Sequence, residues 1–212
     1  MKINYVCNCR QTDFNNEFSY WEDKNSTEDE NEILDFLMEK SLLKNRKILH
    51  VGIGNSNLAK KFSHSNEIFG ITISKNEINH AKKLSLKGYN VFLLDKYSIN
   101  FMNYFKNYRF DIIVDPNLKS YACCEESFKF MFKNFSTLLT NNGIIITSRR
   151  GMNWFKKLKP KISFNLKKFF FFKLKEIEGN SKNILTLDQL EGLSYEYKLK
   201  IKYNEKICEI KR

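Results

Sequence analysis

Residues 47–56, Lys-Ile-Leu-His-Val-Gly-Ile-Gly-Asn-Ser, carry the reading of the fold. The apolar run Ile48, Leu49 and Val51 stops at a small-residue turn, Gly52-Ile53-Gly54-Asn55-Ser56, and a helix-like segment, residues 57–62, follows. Strand, glycine turn and helix in that order let a backbone pass close to a nucleotide-like ligand. Glycine suits the turn because a Cβ would block the ligand or forbid the backbone angle. A lone Gly-x-Gly-x-Ser turn also serves purely steric ends. What recurs after it at regular intervals gives it meaning.

Outward from this turn, strands and helices alternate. Residues 67–73 (EIFGITI) predict a second strand. Ser74 and Glu77 have capping-box spacing and open a helix carrying Ile78, Ala81 and Leu84 on one face, ending near Gly88. Residues 91–94 predict a third strand closed by Asp95, and 110–114 a fourth closed by Asp115-Pro116-Asn117. Phe128, Met131, Phe135, Leu138 and Leu139 have helical spacing within 125–139. Asn141-Asn142-Gly143 reads as a turn into a fifth strand over 143–147. Continuous apolar runs such as Ile112-Ile113-Val114 suit strands covered on both faces. The pattern predicts an α/β fold with a doubly wound, Rossmann-like, mostly parallel sheet. Thr186 caps a short helix to Leu193, and 195–203 with 206–211 predict a closing antiparallel hairpin turning at Asn204-Glu205. Residues 1–46 read as a polar N-terminal segment plus a helix over 32–43 that packs on the core. Residues 47–212 read as the main domain, with an insertion at about 149–183.

Composition bounds the function. The chain has 212 residues, 42% hydrophobic and 15% aromatic, enough for one domain with a sizeable core. No apolar run is long enough to span a bilayer, and the N-terminus lacks the apolar core of a signal peptide. A soluble cytoplasmic protein is expected. The five cysteines (Cys7, Cys9, Cys123, Cys124, Cys208) are odd in number and two are adjacent, which argues against a disulfide framework. Their CxC and CC spacings do not match paired zinc motifs, and His50, His64 and His80 are scattered, so no metal is expected. A net charge of +12 admits nucleic acid as a partner. The Lys, Asn, Ile and Phe bias also resembles proteins of AT-rich genomes, in which lysine accumulates without a function. The charge is uneven: residues 17–39 are acidic and 156–175 strongly basic.

The motifs HVGIGNS, GITISKNE, LLDKYS, FDIIVDPN and GIIIT, in that order, resemble the class I S-adenosylmethionine-dependent methyltransferase family over residues 47–212. The whole chain most resembles small bacterial members found near surface-polysaccharide genes. The resemblance implies S-adenosylmethionine as cofactor. It places backbone groups at Gly52, Gly54 and Asn55 against the methionine part. It places Thr72 at the ribose, where most members carry an acid. A similar threonine, paired with a glutamine, occurs in cyclopropane-fatty-acid-synthase-like members, and Glu77 stands at the glutamine's place. Glu77 also fits a capping role alone. Asp95 falls where the family puts an acid or amide near the adenine, and is equally a common turn residue. His50 replaces the acid usually found near the cofactor's ammonium; a neutral histidine accepts a hydrogen bond but supplies no fixed negative charge.

Methyl transfer is an in-line displacement, so positioning and desolvation matter, and a hydroxyl acceptor also needs a base. The substrate face is expected beyond the fourth and fifth strands. Asp115 is the candidate catalytic base or acceptor-orienting group, with Asn117, Tyr121, Arg149 and Trp154 as substrate contacts. Cys123, Cys124, Arg150 and Asn153 lie in the same stretches, and Tyr20 and Trp21 are candidates to fold over the cofactor. A small molecule or sugar-like compound is the leading acceptor class. An RNA acceptor, suggested by the basic aromatic insertion, and a non-catalytic binding role, suggested by His50 and Thr72, stay open. The oligomeric state is not legible.

Overall fold

A computed structural model describes residues 4–7, 26–40, 43–152 and 184–212. The predicted contacts Tyr20, Trp21, Asn153 and Trp154 and the body of the basic insertion lie outside these residues. In chain order the elements are α1 (Glu28–Glu39), β1 (Lys47–Val51), α2 (Asn57–Phe62), β2 (Glu67–Thr72), α3 (Lys75–Lys83), β3 (Tyr89–Leu93) and α4 (Ile99–Phe105). There follow β4 (Phe110–Val114), α5 (Glu125–Leu138), β5 (Leu139–Ser148), α6 (Arg149–Met152), α7 (Leu187–Glu196), β6 (Lys200–Tyr203) and β7 (Ile207–Lys211). One seven-stranded sheet runs β3-β2-β1-β4-β5-β7-β6. Strands β1 to β5 are parallel, and β7 inserts antiparallel between β5 and β6. The expected doubly wound α/β sheet with a closing hairpin is what forms.

Alternation along each strand divides the core in two. Leu49, Val51, Phe69, Ile71, Ile113 and Ile145 face one side with α4, α5 and α7. Ile48, Ile68, Ile112, Val114, Ile144 and Ile146 face the other, against Ile33, Leu34, Phe36 and Leu37 of α1 and Leu58 and Phe62 of α2. Aromatic rings thicken the first layer: Phe69 meets Phe105 edge-on at 6.3 Å and Phe110 at 5.5 Å, and Phe101 tilts against Phe105 at 5.2 Å. Such arrangements match the ring quadrupoles.

Four elements differ from the sequence expectation. α1 begins at Glu28 because the Thr27 side chain caps it, accepting the Glu30 N–H. The chain forms α4, capped by Ser98, which the sequence does not announce: Ile-Asn-Phe-Met-Asn-Tyr-Phe is poor in strong helix formers, and burial of Phe101 and Phe105 stabilises it. The expected Asn141-Asn142-Gly143 turn becomes an irregularity inside β5, where pairing jumps from Phe110–Leu139 to Ile112–Ile144. Tyr195 and Glu196 end α7 and do not start the hairpin. The hairpin loop is held by Asn204 Oδ1, which accepts the N–H groups of Lys206 and Ile207 at 2.8 and 2.7 Å. β6 is an outer strand with Lys200 and Lys202 exposed. Phe105 is fully buried among the rings of Phe69, Phe92, Phe101, Tyr104, Tyr108 and Phe110. Phe105→Ala is therefore expected to cost about 3–5 kcal/mol in urea unfolding, from lost burial plus the cavity left behind.

Candidate functional site

Strand order reverses between β1 and β4, and a doubly wound sheet offers a ligand crevice at the carboxyl ends of the strands at such a point. The turn after β1 lies there. Gly52 and Gly54 have φ of +71° and +50°, and Ser56, capping α2, has φ +67°. A Cβ on Gly52 would meet nothing within 4 Å, so this backbone borders open space on the side where a ligand would approach. Asn55 and Ser56 are buried, and Ser56 Oγ hydrogen-bonds Tyr89 Oη at 3.0 Å.

At the end of β2, the Thr72 hydroxyl donates to Glu77 Oε2 at 2.6 Å and accepts the Ser74 N–H at 3.0 Å. Ser74 in turn caps α3 by accepting the Glu77 N–H at 3.3 Å. Glu77 is thus held toward Thr72 as well as at the helix start. Thr72 and Glu77 are both buried, so their geometry is set before any ligand arrives.

Beyond β3, Asp95 is buried and both its oxygens are engaged: Oδ1 accepts the Tyr97 N–H at 2.9 Å and Oδ2 accepts Tyr5 Oη at 2.9 Å. Tyr5 also bridges to Ser98, so residues 4–7 lie along the 95–98 loop. The next residue, Lys96, crosses to the loop after β4. Its Nζ donates to Asp115 Oδ2 at 2.7 Å and to the carbonyls of Asn117 at 3.2 Å and Leu118 at 3.0 Å, using all three ammonium protons. Asp115 Oδ1 accepts the Asn117 N–H at 3.3 Å. Asp115, the expected base, therefore lies in a buried ion pair with both oxygens committed; it holds two loops together.

Asn117 Oδ1 is buried with no hydrogen-bond partner among the described residues. Tyr121 is exposed and takes φ +60°, a conformation unusual for a bulky side chain. Arg149 turns away from the crevice: its guanidinium stacks on Tyr203 of β6 at 5.1 Å, and its N–H donates to the Lys206 carbonyl. Arg150 pairs with Glu28 at 2.6 Å and lies 3.8 Å from Asp29 and 3.9 Å from Glu32, all on α1.

His50 stands on β1 in register with Gly70 of β2 and Val114 of β4, fully buried. Neither ring nitrogen has a hydrogen-bond partner among the described residues, and burial lowers its pKa to about 4. It is a neutral imidazole at the place where the resembled family usually carries an acid. A buried acid does approach the glycine turn from elsewhere. Glu30, in the first turn of α1, is buried, and burial raises its pKa to about 7, an effect the nearby Leu58 backbone N–H at the start of α2 only partly offsets. The sequence reading missed Glu30, Lys96 and Tyr5. A cap-spaced Thr27–Glu30 pair is the only signal for the first, and nothing marks Lys96 among 36 cations.

The donor set fits a nucleoside-bearing sulfonium cofactor in part. The open glycine turn and the fixed Thr72–Glu77 pair offer backbone groups and a diol-binding carboxylate. His50 supplies no charge for an ammonium.

No protein-family model matches the chain, and no curated protein matches its sequence. Solved structures do match. The N-methyltransferase NodS of Bradyrhizobium japonicum, in complex with S-adenosyl-L-homocysteine, aligns over 94% of this chain and 93% of its own, with TM-score 0.60 and 12% identity. The magnesium protoporphyrin IX methyltransferase of Synechocystis, also with S-adenosylhomocysteine, covers 92% and 91%, with TM-score 0.57 and 14% identity. The chain has the class I methyltransferase fold. The cyclase SpnF shares it as well, with TM-score 0.52 and 17% identity over 85% of this chain and 62% of its own. At these identities the likeness is one of fold, and function rests on the site.

Two predictions follow from the buried charges. Lys96→Ala leaves the Asp115 carboxylate without its cation and is expected to cost about 3–5 kcal/mol in urea unfolding, while Lys96→Met with Asp115→Leu recovers most of that loss. His50 and Glu30 act oppositely with pH. Unfolded histidine takes up a proton that buried His50 refuses, so its contribution is lost as pH falls from about 6.5 to about 4. Folded Glu30 holds a proton the unfolded chain releases, so its contribution is lost as pH rises from about 4.5 to about 7. Where the windows overlap, the two slopes largely cancel. Glu30→Gln removes one of them, and denaturation of that variant should show stability rising with pH between 4.5 and 6.5 more steeply than wild type.

Proposed function

We propose that the chain is an S-adenosylmethionine-dependent methyltransferase acting on an oxygen or nitrogen of a small molecule or sugar-like acceptor. One observation carries the reading: at the switch point of this fold, a positive-φ glycine turn with open space over Gly52 stands beside a buried, hydrogen-bonded Thr72–Glu77 pair. Structural neighbours holding S-adenosylhomocysteine support the cofactor, and the methyltransferase named for magnesium protoporphyrin IX supports an acceptor of modest size.

In this reading the backbone at Gly52, Gly54 and Asn55 and the side chains of Thr72, Glu77 and Asp95 would hold the cofactor. When bound, the cofactor supplies an electrophilic methyl group on a sulfonium. The chain's own residues supply positioning. Glu77, oriented by Thr72, presents a carboxylate to a diol. Tyr5 and the Tyr97 N–H fix the Asp95 carboxylate. The Lys96–Asp115 pair locks the loops after β3 and β4 at a set separation, which suits a reaction governed by alignment. Asn117 and Tyr121 would meet the acceptor as hydrogen-bonding groups. Asp115 serves here as a positioning group, and acceptors that ionise readily or carry a neutral amine need no further base.

Isothermal titration calorimetry is expected to show one S-adenosylhomocysteine bound per chain. Glu77→Ala removes the carboxylate that faces the diol while the Ser74 cap, made to the backbone N–H, stays in place, and it should weaken binding at least tenfold while circular dichroism stays unchanged. Absence of binding to the wild type removes the reading. Incubation of cell extract with methyl-labelled S-adenosylmethionine tests the acceptor: label should enter the low-molecular-weight fraction, and entry into RNA would favour the nucleic-acid alternative.

A further inference from the structure

The N-terminal segment and the start of α5 are far apart in sequence, yet they bring three cysteines together. Cys7 Sγ lies 3.4 Å from Cys123 Sγ, and Cys123 Sγ lies 3.9 Å from Cys124 Sγ; all three sulfurs fall within 4.8 Å of one another. Cys123 and Cys124 are half-buried, so the group lies near the surface. Ser127 Oγ sits 3.3 Å from Cys123 Sγ, and the Ser127 N–H donates to Cys124 Sγ at 3.4 Å. Adjacent cysteines on an extended N-cap turn are thus both directed to the same point as a residue over a hundred positions away.

These spacings have a simple chemical reading. Tetrahedral thiolate coordination at a metal–sulfur distance of about 2.3 Å sets sulfurs about 3.8 Å apart. The two measured separations bracket that value, so closing the three sulfurs about an ion asks for shifts below an ångström. Packing of unrelated thiols has no reason to gather three of them at this spacing. Soft sulfur donors select zinc and similar thiophilic ions over magnesium, calcium or manganese.

We propose that Cys7, Cys123 and Cys124 form a three-thiolate site for a thiophilic divalent cation, zinc foremost, with the fourth position left to water or another donor. Motif spacing did not reveal it because the ligands come from two segments joined only by the fold. Binding releases the thiol protons and ties residues 4–7 to the start of α5. Tyr5, two residues before Cys7, is the group that holds Asp95. The ion therefore fastens a strap that crosses from the 95–98 loop to the loop after β4.

The test uses the full chain, reduced with a phosphine and stripped of metal. Titration with Co²⁺ should give one equivalent bound, with thiolate-to-metal charge-transfer absorption of an intensity that counts three thiolates, and Zn²⁺ should displace it. Zn²⁺ should raise Tm, and a chelator should reverse the rise. Alkylation with and without Zn²⁺, mapped by mass spectrometry, should show Cys7, Cys123 and Cys124 protected together; this arm needs no variant to fold. Cys7→Ser and Cys124→Ser should each weaken Zn²⁺ binding at least tenfold while circular dichroism is unchanged. The proposal is overturned if wild type binds no stoichiometric Co²⁺, if the bound ion lacks thiolate absorption, if alkylation of the three is unaffected by Zn²⁺, or if mild peroxide yields a Cys7–Cys123 disulfide in a protein that takes up no metal.

Discussion

A parallel sheet must carry every crossover over one of its faces, and both faces must then be sealed by apolar helix surface. Nearly everything else in this protein follows from that demand. Having laid β2 and β3 to one side of β1, the chain returns across the sheet to place β4 on the other. The helices consequently fall on opposite faces, and the loops above β1 and β4 diverge. The crevice they leave is a by-product of covering the core. The residues that border it (Gly52, Thr72, Asp95 and Asp115) all stand at the carboxyl ends of strands. Their relative positions are set by β-strand spacing and owe little to the loops themselves.

Where loops contribute, they are stiffened by buried polar groups. The Lys96 ammonium reaches over from β3 to satisfy one carboxylate and two carbonyls of the β4 loop. Its desolvation is met by a full complement of hydrogen bonds, the condition under which a buried pair is tolerable. Asp95 is similarly saturated. Against this, His50 and Glu30 keep atoms near the glycine turn that find no partner among the described residues. The contrast divides the crevice into a rigid, neutralised wall at the ends of β3 and β4 and a polar, unsatisfied region around β1. A ligand gains most where the protein's own hydrogen bonds are missing.

Fold was readable from sequence because its signals are local and repeated. Apolar runs such as Ile112-Ile113-Val114 and Ile144-Ile145-Ile146 announce doubly covered strands, and Ser74 and Thr186 announce helix starts. α4 escaped because its stability comes from where Phe101 and Phe105 pack, a tertiary matter with no trace in the intrinsic propensity of its residues. The strand ends that border the crevice were equally legible, since position in a known strand order suffices to place Gly52, Thr72 and Asp95. Partners were not. That Asp115 faces Lys96, that Glu30 reaches the start of α2, and that Cys7 meets Cys123 are facts of chain crossing. Residue type alone made Asp115 look like a free carboxylate; in the fold Lys96 and the Asn117 N–H take up its two oxygens.

One edge of the sheet has a bearing on how the molecule behaves in company. An outer strand exposes a row of unpaired backbone groups that invites another chain to add on. Here the outermost strand, β6, is only four residues long and displays the lysines at 200 and 202. A second copy approaching edge to edge would have to bring like charges together and strip water from ammonium groups for very few new hydrogen bonds. The terminal hairpin thus does more than complete the sheet. It ends the ladder on that side in a form that resists further growth.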